Sequence, residues 1–233
     1  KLTDDGISTP FEPVKCHHFI TESTFGLPVF RFRPQAEEFN AINGWWMENK
    51  AKGQATVLVA YALGKAQRLL QNMDATIGSI WLHGAIHNTN QAFMDNGMVL
   101  PPAQRIFSDT PKTEFPGSLI IATPSSVGSP WLRRFFPYSI GIASGWMALR
   151  GTRRRRNVDR GFAISDHCDW DQLNTAIKET GAENIYVTHG YTTIFAEWLR
   201  QNGYNATVVQ TKFEGEQIES TDESPGEETG GET

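Results

Sequence analysis

The chain has 233 residues, 39% of them hydrophobic and 20% charged, with two cysteines. Those totals fit a globular α/β-sized core; they exclude a disulfide-framed mini-domain, and no apolar run reaches the 18 or more residues of a membrane span. The net charge of −5 is unevenly placed: eight of the 26 acidic residues lie from Glu214 onward with no basic residue among them, so residues 1–213 carry 21 basic against 18 acidic side chains, a net of +3. The tail 214–233 has almost no apolar content and reads as a disordered acidic segment.

In chain order, "CHHFITESTFG" (16–26) runs as a strand through Phe19 and Ile20 to Glu22 and breaks at Gly26. Neighbouring residues on a strand face opposite ways, so Cys16, His17 and His18 are read as strand lead-in rather than a metal cluster. Phe39, Ile42, Trp45 and Trp46 share one helical face. "ATVLVAY" (55–61) is a buried strand, after which Gly64 opens a helix at Lys65, where backbone amides could meet a phosphate. This is not a Walker motif, because Val59 stands where its first glycine belongs.

"SIWLHGAIH" sets His83 and His87 four apart. Gly84 and the strand-like lead argue against a helix there, and hence against a metal pair. "SLIIA" (118–122) is another buried strand, followed by the polar loop "TPSSVGSPW" with Ser125 and Ser126; residues 101–117 and 124–137 are proline-rich loops. Arg150, Arg153, Arg154, Arg155, Arg156 and Arg160 form a basic loop directly ahead of the next strand, a path for a polyanion.

The last third reads as a βαβα unit. "GFAIS" is a strand, Asp169 caps the helix "WDQLNTAIKETG", and Gly181 stops it. "NIYVTHG" is the next strand. It is followed by a helix whose Tyr191, Ile194, Phe195, Trp198 and Leu199 share a face, and then by "ATVV" (206–209). Parallel strands joined by a helix often lie side by side, which would bring His167 and His189 to one rim. Glu22 could join them there, fixing a tautomer and favouring an imidazolium that acts as a general acid near neutral pH. Ser165, Asp166 and His167 are consecutive and cannot form a nucleophile–base–orienter chain.

Together, "ITESTFGLPVFR", "YALGKAQRLL", "IASGWMALRGTRRRR", "GFAISDHCDWDQL" and "IYVTHGY" resemble the β-CASP branch of the metallo-β-lactamase-fold nucleases, most closely the bacterial ligase-associated DNA exonucleases (also labelled mRNA 3′-end processing factor homologues). The resemblance spans nearly everything but the acidic tail. It implies an α/β fold, the C-terminal part of a metallo-β-lactamase αββα sandwich with an inserted α/β cap. Residues 1–26 and 158–213 would belong to the sandwich, 27–157 to the cap and 214–233 to the tail.

It further implies that Glu22 and His167 form a carboxylate–histidine pair near the scissile phosphate, with Asp166 orienting it or its neighbours. His189 would ligate one of two zinc ions. Lys65, Ser125, Ser126, Arg153, Arg154, Arg155 and Arg156 would line the strand channel, and Cys168 would be structural.

The H-x-H-x-D-H motif that carries most of the family's metal ligands is absent, and Asp4 and Asp5 are poor substitutes for the bridging aspartate. The chain, which begins at Lys1 rather than Met, therefore looks like a C-terminal fragment of a zinc-dependent nuclease, expected to be inactive alone. The expected substrate is DNA, in ligase-associated repair in the cytoplasm, with a DNA ligase and a helicase as partners. An RNA-processing nuclease, towards which His189 leans, and a non-catalytic nucleic-acid-binding module are the alternatives. A weaker one is a metal-independent phosphoesterase using His167 alone.

Overall fold

Buried parallel strands are written as short continuous apolar runs, and the chain contains enough of them to build two separate sheets. The computed structural model describes residues 1–156 and 158–210, without the side chains of Arg153 and Arg155. The strands are β1 (His18–Ser23), β2 (Ala55–Val59), β3 (Ile80–Leu82), β4 (Gln104–Arg105), β5 (Leu119–Ala122), β6 (Tyr138–Ala143), β7 (Arg160–Phe162), β8 (Asn184–Gly190) and β9 (Asn205–Val208). The helices are α1 (Gln35–Ala51), α2 (Lys65–Asn72), α3 (Gly84–Asp95), α4 (Arg150–Arg155), α5 (Trp170–Thr180) and α6 (Thr192–Gln201). Every strand pair is parallel, so the fold class is α/β as expected. Among the described residues, no helix is long and apolar enough to cross a membrane.

The larger sheet has the order β4-β3-β5-β2-β6-β7. Alternate residues of its central strands point to opposite faces. Leu58, Leu119 and Ile121 pack with the α1 side chains Phe39, Ile42, Trp45 and Trp46 and with Ala66, Leu69 and Leu70 of α2. Val57, Val59 and Ile120 meet Phe115, Leu132 and Phe135 on the other face. Each large apolar side chain fully buried in this way contributes about 1.5–3 kcal/mol.

The smaller sheet has the order β1-β8-β9. One face, with Ile185, Val187 and Ala206, is covered by Trp170, Leu173 and Ile177 of α5 and Phe195 and Leu199 of α6. Register sets His18 beside Asn184, Ile20 beside Tyr186, and Tyr186 beside Thr207 on the opposite face, which is open: Ile20 is 69% exposed. Parallel sheets are normally covered on both sides.

Four expectations need correction. β7 and β8 are not neighbours: β7 is an edge strand of the larger sheet, although it lies within 158–213, and β8 sits in the smaller one between β1 and β9. The α5 connection therefore changes sheets instead of crossing over within one. The segment after His83 is helical, because β3 ends at Leu82 and α3 starts at once, with the His83 Nδ1 accepting the Ala85 amide at 3.1 Å as an N-cap. The arginine run is a short helix rather than a loop, consistent with the good helix propensity of arginine. On α6, Phe195 and Leu199 are buried but Ile194 and Trp198 are exposed, lining with Pro28 and Trp170 a groove of about 410 Å³.

Candidate active site

Glu22 is the penultimate residue of β1, on the open face of the smaller sheet; His167 lies in the loop that leaves β7 for α5. Two local devices shape these ends. Gly190, at the end of β8, has φ +84°, and a Cβ there would lie 2.4 Å from the Thr24 amide nitrogen. β8 thus crosses the end of β1 closely, and Ser23 Oγ donates to the His189 carbonyl at 2.6 Å. Asp169 caps α5 as expected: one oxygen accepts the Gln172 amide at 2.9 Å and the other the Phe32 amide at 2.9 Å. The α5 N-terminus, and the loop before it, is thereby tied to the segment after β1.

The two ends meet. His167 Nδ1 lies 3.4 Å from Glu22 Oε1, with the imidazole about half exposed and the carboxylate about a third exposed. The other oxygen, Oε2, accepts the Thr24 amide at 2.6 Å. Burial pushes the Glu22 carboxyl up, but the His167 contact and the Thr24 hydrogen bonds outweigh it and hold the group below its ordinary value. The Glu22 contact raises His167 above an ordinary histidine, against burial and the nearby Lys65 ammonium; Asp166 adds to the rise. With Nδ1 turned to the carboxylate, Nε2 is the proton-bearing nitrogen left for a ligand.

Asp166 turns to α2 instead, 3.3 Å from Lys65 Nζ and 3.6 Å (Oδ1) from Arg68 Nη1. Lys65 is the first residue of α2 after Gly64 (φ +77°), is 4% exposed, and its ammonium lies 4.9 Å from the centre of the Tyr61 ring. β2 and β5 are adjacent, and the chain leaves them over opposite faces of the larger sheet. The Gly64–Lys65 turn and the Thr123–Ser126 loop therefore flank a switch-point crevice at the carboxyl ends of the strands. Ser125 is exposed there; Ser126 is 4% exposed with its hydroxyl 3.3 Å from that of Thr123, so its side chain is not at the surface.

Arg154 and Arg156 are exposed on and just after α4, whereas the side chains of Arg153 and Arg155, like the acidic tail, lie outside the described residues. His189 is exposed at the end of β8. Burial raises the Cys168 thiol, which fits a structural role.

The residues do not fit a two-zinc centre. Among those described, no group of three or more His, Cys, Asp or Glu side chains converges on a point that could hold a metal ion. Glu22 and His167 hold each other, and Asp5 is committed elsewhere. Burial pushes the Asp5 carboxyl up, but Lys1 and the Ser8 and Ile7 amides overcome that and hold it at about 2. His83 and His87 are also not a ligand pair, since the His83 Nδ1 is spent on its helix cap.

Sequence reasoning missed Arg68, which stands behind this site. The available signal was Lys65, Gln67 and Arg68 interleaved with Ala66, Leu69 and Leu70 on a short helix, and all six are buried.

No family model matches the chain. Over 190 residues, 82% of its length, it is 30% identical to a protein of Opitutus terrae named "Probable DNA ligase". The matched stretch is 18% of that protein, so the chain spans less than a fifth of this relative's length.

Proposed function

We propose that the chain acts on the phosphodiester backbone of nucleic acid, DNA in the first instance, as part of a β-CASP-type nuclease. The observation that carries this reading is the Glu22–His167 pair at a strand-end rim. A histidine held as imidazolium by a buried carboxylate donates its Nε2 proton to the oxygen leaving phosphorus, and the electron pair of the breaking P–O bond stays on that oxygen. The carboxylate keeps Nδ1 protonated and the ring oriented, as the acid in a histidine pair must. Lys65 and Ser125 at the switch-point crevice, with Arg154 and Arg156, would hold flanking phosphates. The relative's name, which mentions DNA ligase, supports a DNA-related role and a setting in ligase-associated repair.

The chain's described residues supply the proton donor but no metal-binding set, so the group that activates water is not assigned to them and His189 remains a single candidate ligand. That same observation favours a second reading, a nucleic-acid-binding module without hydrolysis.

The deciding experiment incubates the chain with end-labelled single- and double-stranded oligonucleotides, measuring binding and cleavage in parallel for wild type and His167→Gln. Cleavage that drops by about 100-fold or more in His167→Gln, with binding kept, supports the acid role. Binding without cleavage in wild type selects the binding module. No binding to either DNA or RNA sinks both readings.

A further inference from the structure

A buried guanidinium stands behind the Glu22–His167 pair, and the proposed chemistry does not touch it. Arg68, in the first turn of α2, is 4% exposed. Its Nη1 donates to the Ser165 carbonyl at 2.6 Å, and its Nε and Nη2 donate to Gln35 Oε1 at 3.2 and 2.8 Å. Gln35 in turn donates to the Asp4 carbonyl. Ser165 is 6% exposed; its hydroxyl accepts the His167 amide at 2.9 Å and donates to the His167 carbonyl at 3.2 Å. One side chain of α2 therefore fixes the residue two before His167, and that residue's own side chain holds both backbone polar atoms of His167.

Charge pairing is a poor explanation for this placement. Desolvating a guanidinium costs several kcal/mol, and its partner Asp166 is a third exposed at 3.6 Å, a separation too long for a strong pair. The planar fork is put to better use by fixing geometry, since its donors reach the neutral oxygens of Ser165 and Gln35 from one rigid plane.

We infer that Arg68 is a positioning residue for His167: through Ser165 it holds the imidazole against Glu22, and it does so without contacting substrate. The inference rests on the proposed role of the pair for its chemical meaning, but its test does not need activity. The charged groups facing His167 are Glu22 from β1, Lys65 from α2 and the adjoining Asp166. Removing Arg68 has two opposite effects on the imidazole. Losing the geometry frees it from Glu22 and lowers its pKa, whereas losing the charge leaves Asp166 less neutralised and raises it.

The experiment is an NMR titration of the His167 ring in the full chain, as wild type, Glu22→Gln, Arg68→Met and Arg68→Lys. Glu22→Gln calibrates the full loss of the carboxylate. Arg68→Met is expected to move His167 at least half of the way from wild type to that reference. Arg68→Lys, which keeps the charge but not the fork, should resemble Arg68→Met. An unchanged titration in a folded Arg68→Met overturns the inference, and so does a rise, which would show that Arg68 acts only as a charge. Should Arg68→Met not fold, Ser165→Ala carries the same decision, because it cuts the link to His167 and leaves Arg68 paired. Loss of the proposed function would appear as absent cleavage and absent binding, outcomes that leave this titration unaffected.

Discussion

His167 Nδ1 and Glu22 Oε1 are 3.4 Å apart, yet the strands that lead to them belong to different sheets. Glu22 rides on β1 of the smaller sheet, while His167 follows β7 of the larger one. The pair is assembled where the two sheets meet, so any change that shifts one against the other should reach the imidazole before it reaches either core. Phe25 packs at this junction, with its ring centre 5.0 Å from that of Trp146 and 6.1 Å from that of His167.

The acid role has a definite pH signature. Because Glu22 raises the His167 pKa, the imidazolium persists through neutrality, and cleavage should fall only as pH climbs past that raised value. In Glu22→Gln the alkaline fall should begin at lower pH. Pre-steady-state cleavage measured across pH with both proteins checks this, and an unmoved alkaline limb would assign it to another group.

Gly190 should tolerate substitution poorly. Its φ of +84° strains any L side chain, and a Cβ would enter the Thr24 backbone at 2.4 Å. Gly190→Ala is expected to cost about 2–4 kcal/mol. Gly203, with φ +88° and nothing within 4 Å of its Cβ position, supplies the comparison: Gly203→Ala should cost about 1–2 kcal/mol from the backbone alone. Thermal denaturation of the two variants side by side separates clash from conformation.

Asp169 caps α5 and also holds the Phe32 amide, so Asp169→Ala should lose more than a cap alone, about 1–3 kcal/mol in denaturant unfolding. Asp169→Asn keeps an acceptor and should recover part of that. Equal losses in the two variants would argue that charge, rather than hydrogen bonding, matters there.

Arg154 faces solvent on α4. If it neutralises a backbone phosphate, Arg154→Ala should weaken oligonucleotide binding for all sequences alike. The slope of log K against log salt should also shrink by about 0.7–0.9. Fluorescence anisotropy over a salt series measures both; an unchanged slope would remove α4 from the contact surface.

What the sequence revealed, and what it hid, follows from the range of the interactions involved. The buried strands β2 and β5 were legible because a parallel strand covered on both faces is written as a continuous apolar run. Asp169 and Gly181 were legible because capping is local. That Glu22 and a strand-end histidine could share a rim was also readable.

The relation of β7 to β8 was not. A helix that returns to its own sheet and one that changes sheets have the same local pattern, and only tertiary pairing tells them apart. Arg68 was hidden for a related reason. An arginine on a short helix is ordinarily solvated, and its burial is decided by Ser165 and Gln35, far away in the chain.

The open face of the smaller sheet bears on how the protein behaves in a tube. Ile20 stands 69% exposed beside Tyr186 and Thr207, on a sheet whose outer strands β1 and β9 both have unpaired edges among the described residues. Such a surface is adhesive to other chains, since apolar area and free backbone donors and acceptors lie side by side on it. Colloidal loss at high concentration would then begin at Ile20 while the cores stayed intact, and it would take Glu22, on that same face, out of solution along with it.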